Sequence, residues 1–165
     1  MKFINQGFKA AAKVGDWITV EVVTDRSVAR ELSEHQAVFV EKELDIAFIV
    51  PDWSDEQEET YEVWKSDMHQ SHEAYGELIG FCNVPEESAK AVLPDSTAIN
   101  LVIKASVSEW QAMLLFVTSH NKRPQVRGLM SVIQNELNRI MPDLFPPVPL
   151  KWDDAEVGYL EGPHD

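Results

Sequence analysis

The sequence predicts an α/β (α+β) domain, a small sheet packed by long helices, and three observations carry that expectation. Short runs rich in β-branched and apolar residues, Trp17 to Val23 and Ala98 to Ala105, are the length of strands. They are separated by longer segments whose apolar residues recur with helical spacing. Proline and glycine mark the boundaries, at Pro51, Gly80, Pro85, Pro94, Pro124 and Pro142. With 165 residues the chain is long enough to bury one proper core. Residues 1–145 read as a single domain, and 146–165 as an acidic tail containing Pro146, Pro147 and Pro149.

Residues 1–15 read as a short helical or irregular lead-in. Lys2, Lys9 and Lys13 interrupt it, so it lacks the continuous apolar stretch of a signal peptide. WITVEVV follows as a strand, and Thr24 or Asp25 caps a helix reaching about Gln36, with Val28 and Leu32 on one face. Ile46 to Val50 is a continuous apolar run closed by Pro51, as in a buried strand. Ser54 with Gln57 forms a capping box opening the longest helix, which stops at Gly80. Pro85 starts a short helix that ends before Pro94, and Ala98 to Ala105 is the next strand. Ser106 caps a helix whose Trp110, Met113, Leu114 and Val117 fall at i, i+3, i+4 and i+7. After a turn at His120 to Arg123, Pro124 begins a last helix through Ile140.

Twenty-eight acidic residues against fourteen lysines and arginines leave a formal charge of −14, which argues against direct nucleic-acid binding through a basic surface. No apolar run approaches the roughly 18 residues of a membrane span. Cys82 is the only cysteine, which excludes an internal disulfide and argues against a cysteine-based metal site, and the expected location is the cytosol. There is no glycine-rich phosphate loop, no GxSxG and no HExxH. His69 and His72 stand i, i+3 with Glu73 beside them, but no third ligand is placed, so a surface pair is the plainer reading. His120, Lys122 and Arg123 form a basic spot at a helix N-terminus, either an anion site or a solvated turn. Lys90 is either a phosphate-reaching or an ordinary surface lysine.

Three stretches in order, TDRSVARELSEHQ, PEESAKAVLPDS with SEWQAML, and RPQVRGLM, are similar to the flavin-dependent thymidylate synthase family. That family carries Pro-Glu-x-Ala-Arg-x-Val-Leu-Pro, Glu-Trp-Arg-His-Phe and Pro-Gln-x-Arg-x-Leu-Met. The resemblance covers about residues 17 to 145 and implies the family's fold. It also implies FAD and dUMP bound at the joint between subunits of a homotetramer, with NADPH as reductant and methylenetetrahydrofolate as methyl donor. The family's Arg-His-Arg-x-x-Ser signature falls on Glu34, His35, Gln36 and Phe39, and its continuation on Glu43, Leu44 and Ile46. The phosphate-facing Arg falls on Lys90, a ligand-holding Asn on Ser106, the His after Trp-Arg on Ala112, and the dUMP-reading Leu-Arg on Phe116 and Val117. Retained are Arg26, Glu31, His35, Glu43, Gln125 and Arg127. If a site survives, His35 and Arg127 would face the cofactor, and Lys90, Glu43 and Gln125 the substrate.

The substitutions have a direction. Arginines hold anions through paired charge-assisted hydrogen bonds. Four are replaced, by Glu34, Gln36, Ile46 and Val117. At about 1.5–3 kcal/mol each, additive loss would amount to roughly 6–12 kcal/mol. Phe39, Leu44, Ile46 and Val117 are apolar where the family is polar, so the pocket is expected to be partly filled. The leading expectation is a non-catalytic homologue, phage- or mobile-element-encoded, that needs no cofactor. It would act by protein–protein interaction, as a tetramer or dimer, on a partner with a basic surface. The alternative is a divergent enzyme that binds FAD or a pyrimidine nucleotide through His35, Lys90, Arg127 and the His120–Arg123 turn. An acidic DNA mimic is a third, weaker reading.

Overall fold

The computed structural model describes residues 1–42, 45–51, 58–117 and 123–146. It is an α+β domain. The lead-in is not helical: β1 (Lys2–Ile4) and β2 (Gly7–Val14) occupy it. The Ala-rich run of β2 suits a helix by propensity, but pairing with β3 (Trp17–Asp25) overrides that preference. Val14 pairs with Trp17 across the two-residue turn Gly15–Asp16. Gly15 supplies the positive φ of +59° that such a hairpin needs.

α1 (Arg26–Leu32) is capped by Asp25, whose side chain accepts from the Val28 amide. It ends four residues before Gln36. The Glu34 and His35 amides donate to the Glu31 and Leu32 carbonyls, the Ala37 amide donates to the His35 carbonyl, and the chain turns into β4 (Val38–Lys42). His35 therefore sits in a turn rather than in the helix. β4 is a strand the local sequence does not announce: its formation depends on pairing with β6 (Ala98–Ser106). β5 (Ala47–Ile49) is buried as its composition predicts. α2 (Glu58–Gly80) is the longest helix, although its expected cap at Ser54 to Gln57 lies outside the described residues. Then come α3 (Glu86–Ala89), a 3-10 turn at Lys90–Val92, β6, α4 (Val107–Val117) and α5 (Pro124–Ile140).

The main sheet has the order β2-β3-β6-β4, all antiparallel, and a separate parallel pair joins β1 to β5. One face of the main sheet, with Ile18, Val20 and Val22 of β3 and Leu101 and Ile103 of β6, packs under α1, α4 and α5. Trp110 is fully buried there, and its indole N–H donates to the Ile18 carbonyl at 3.0 Å, tying α4 to the sheet. The opposite face is covered at one end, where Ala47 and Ile49 meet Ala98 and Val23. α2 closes a second core around Phe48, Met68, Tyr75, Ala89 and Leu93. Among the described residues no helix is long and apolar enough to cross a membrane.

Candidate functional site

The turn after α1 lies against the first turns of α4. Glu34, His35 and Gln36 from the turn and Glu109, Ala112 and Met113 from α4 line a hollow of about 410 Å³. Local sequence fixes both walls. Ser106 and Glu109 form a reciprocal capping box: the Glu109 amide donates to Ser106 Oγ at 3.2 Å, and the Ser106 amide donates to Glu109 Oε2 at 2.7 Å. Those hydrogen bonds from the Ser106 amide and hydroxyl hold the Glu109 carboxyl below the usual range despite some desolvation, so it is ionised at neutral pH. The positions aligned with the signature Arg-His-Arg and with the Glu-Trp helix thus converge on one cavity.

Lys90 lies elsewhere. It lines a cleft of about 140 Å³ with Arg26, Lys42, Glu41, Tyr75 and Glu86, between α2, α3 and the β4–β6 edge. Its ammonium is 3.0 Å from Glu87 Oε1. Tyr75 donates its hydroxyl to Glu86 Oε1 at 3.1 Å, and burial together with that carboxylate raises its pKa. Arg26 and Lys42 were not connected with Lys90 by sequence. They arrive there because the antiparallel register sets Lys42 opposite Asn100, while the Arg26 amide is fastened to the Asp95 carbonyl.

Gln125 belongs to a third place, the joint between α1 and α5. Its amide donates to Asp25 Oδ2 at 2.6 Å, and its carbonyl accepts from Gln6 Nε2 at 2.9 Å. Asp25 Oδ1 accepts from the Val28 amide and the Ser27 hydroxyl, each at 2.7 Å. Arg123 crosses the same joint, with Nε 2.9 Å from Glu31 Oε2 and Nη2 donating to the Ser27 carbonyl. Arg30 makes a paired bridge to Asp95 at 2.9 and 3.0 Å. Those hydrogen bonds hold the Asp95 carboxyl below its ordinary value. Arg127 is half-buried on α5 and lines neither cavity.

Of the residues singled out in the sequence, the fold brings together Glu34, His35, Gln36 and Ala112, and adds Glu109, which the sequence reading did not name. It separates them from Lys90 and Gln125. Glu43, Leu44, His120 and Lys122 lie outside the described residues, as do the side chains of Phe116 and Val117. Phe39 packs against the main core and Ile46 against the α2 core, yet the hollow beside His35 is open, so these two apolar replacements do not fill it. His69 is exposed and lies edge-on to Phe3 at 5.8 Å. His72 is half-buried, and burial lowers its pKa. Among the described residues no group of histidine, cysteine and carboxylate side chains could hold a metal ion. Sequence reasoning did not single out Asp25 as a hub. An acidic N-cap directly after a buried strand was the available signal.

The fold and the hollow together define a class: an α+β domain in which a strand–helix–turn unit meets the start of a later helix at one preformed cavity. The family model for thymidylate synthase complementing protein matches residues 17–143, most of the chain, and the chain belongs to that family, the flavin-dependent thymidylate synthases. No curated protein matches the chain.

Proposed function

We propose that this chain is a non-catalytic member of its family and acts by binding another protein. One observation carries the reading: the hollow at the signature positions is lined by two carboxylates, Glu34 and Glu109, where an anionic ligand would have to sit. A flavin pyrophosphate or a nucleotide phosphate would face like charge in this hollow, without an arginine fork on any lining residue. The residues lining this hollow do not fit FAD. Ala112 offers no proton donor in place of the family's histidine.

The partner has a basic surface. Glu59, Glu62, Glu73 and Glu77 are exposed on α2. Their spacings of three, eleven and four residues place them on one face of the helix. The stripe is part of the acidic excess that leaves the chain at −14, and steering toward a cationic surface follows from that field.

The test is the visible spectrum of the purified protein, read with its mass in solution. We expect no flavin absorbance and a defined oligomer. Co-purified flavin would overturn the reading. A second reading has its own support, since Arg26, Lys42 and Lys90 converge on the smaller cleft and could take a phosphate. That cleft is below the usual size of a nucleotide pocket, about 300 Å³ upward, and Glu41 and Glu86 share it. Thermal shift with dUMP at millimolar concentration decides between them: stabilisation that Lys90→Ala abolishes supports the second reading and removes the first.

A further inference from the structure

The uncovered part of the main sheet is the inverse of the rest of the molecule. Val14 is 77% exposed, Trp17 46%, Val38 56% and Val40 48%, and the strand registers place all four on the face turned away from α1, α4 and α5. An antiparallel sheet facing water normally alternates apolar-in with polar-out, whereas this outward face sets exposed Val14, Trp17, Val38 and Val40 beside Thr19, Glu21, Lys42 and Lys104. It is also cationic. Lys104 lies 5.4 Å over the Trp17 ring, and Lys9 and Lys42 flank the single carboxylate of Glu21 at 3.4 and 3.8 Å. Three lysines against one glutamate make a positive island on a chain of −14.

We infer that this face is the docking site of the chain's own C-terminal segment, residues 147–165. Three arguments select it. The segment has the complementary composition: Trp152, Tyr159 and Leu160 supply apolar surface, and Asp153, Asp154, Glu156, Glu161 and Asp165 outnumber its one lysine, Lys151. The segment starts close enough. Gln111 donates to the Leu144 carbonyl at 2.8 Å, and Gln111 stands five residues, about 8 Å of helix, from Ser106, which pairs with Trp17. Extended, residues 147–152 reach about 20 Å, enough to carry Trp152 around that end of the sheet to Trp17 and Val14. A second copy's identical face is a poorer occupant, since stacking it would set Lys9, Lys42 and Lys104 against their own kind. The inference is independent of whether the chain catalyses anything. In this arrangement the tail shields the apolar face, and a partner with a stronger acidic-apolar segment would displace it.

The test uses the full chain. Carbodiimide cross-linking, followed by peptide mapping of the monomer band, should join carboxylates of 153–165 to Lys9, Lys42 or Lys104. Absence of such links, or links confined to bands of dimer mass, overturns the proposal in favour of a free tail or a neighbouring copy. As a second readout, limited trypsin cleavage after Lys151 should be about tenfold faster in Lys42→Glu/Lys104→Glu, the loss of several exposed charge contacts at once. Both lysines are exposed, so this variant should fold. An unchanged cleavage rate, with folding verified by circular dichroism, would equally overturn it.

Discussion

Replacing Gln125 by alanine tests the joint on which the arrangement of α1 and α5 depends. The Gln125 amide donates at 2.6 Å to Asp25, a carboxylate only 2% exposed that also caps α1. A hydrogen bond to a charged group contributes about 1.5–3 kcal/mol, and Gln125→Ala should lower unfolding free energy by that amount. Asp25→Ala removes the same bond and the cap, which adds about 1 kcal/mol, so its expected cost is about 2.5–4 kcal/mol. Because both variants break one shared bond, the double variant should cost less than the two singles together, by about 1.5–3 kcal/mol. Urea unfolding of the four proteins measures this, provided the slopes agree. If Gln125→Ala shifts stability by less than about 0.5 kcal/mol and the cycle is additive, the joint has no such role. The family resemblance makes the opposite prediction, that Gln125 serves a ligand. In that case Gln125→Ala would abolish a dUMP-induced thermal shift and leave the apo protein unchanged.

Trp110→Ala should cost about 3–5 kcal/mol in the same assay, since a fully buried indole is lost, while Trp110→Phe should cost less by keeping most of the packing. Ser106→Ala removes the hydroxyl half of the α4 capping box and should cost about 1 kcal/mol. Acid titration gives a further test. The Arg30 hydrogen bonds depress the folded pKa of Asp95 below its ordinary 3.8. Its stabilising contribution is therefore complete above that value and is lost as pH falls through the lower folded one. Asp95→Asn should flatten the fall of stability as pH drops below about 4, and an unchanged slope would remove Asp95 from the acid transition.

How far the sequence could be read depended on whether the signal was local. Asp25, Ser106 and Pro124 announce helix starts through backbone groups a few residues away, so α1, α4 and α5 were legible. The Gly15–Asp16 turn was a readable hairpin signal, but the alanines and lysines around it masked it. β4 could not be read, because VFVEK owes its strand to partners 58 to 66 residues later in β6. The signature hollow was half legible. Aligned motifs named Glu34, His35, Gln36 and Ala112, but the sequence did not say that Lys90 and Gln125 would be placed in two other parts of the fold.

By itself, then, the sequence determined the family, the main helices, the loss of the arginines and the acidic balance, all of which reside in residue identity and short-range spacing. The tertiary structure decided the rest. It brought Glu34 and Glu109 to one cavity, fastened Gln125 to a buried Asp25, gathered Arg26, Lys42 and Lys90, and left Val14, Trp17, Val38 and Val40 on one sheet face uncovered by the other described elements. Each of these depends on strand register and helix packing between residues far apart in the chain. A one-residue change of register would turn every side chain of a strand to the opposite face.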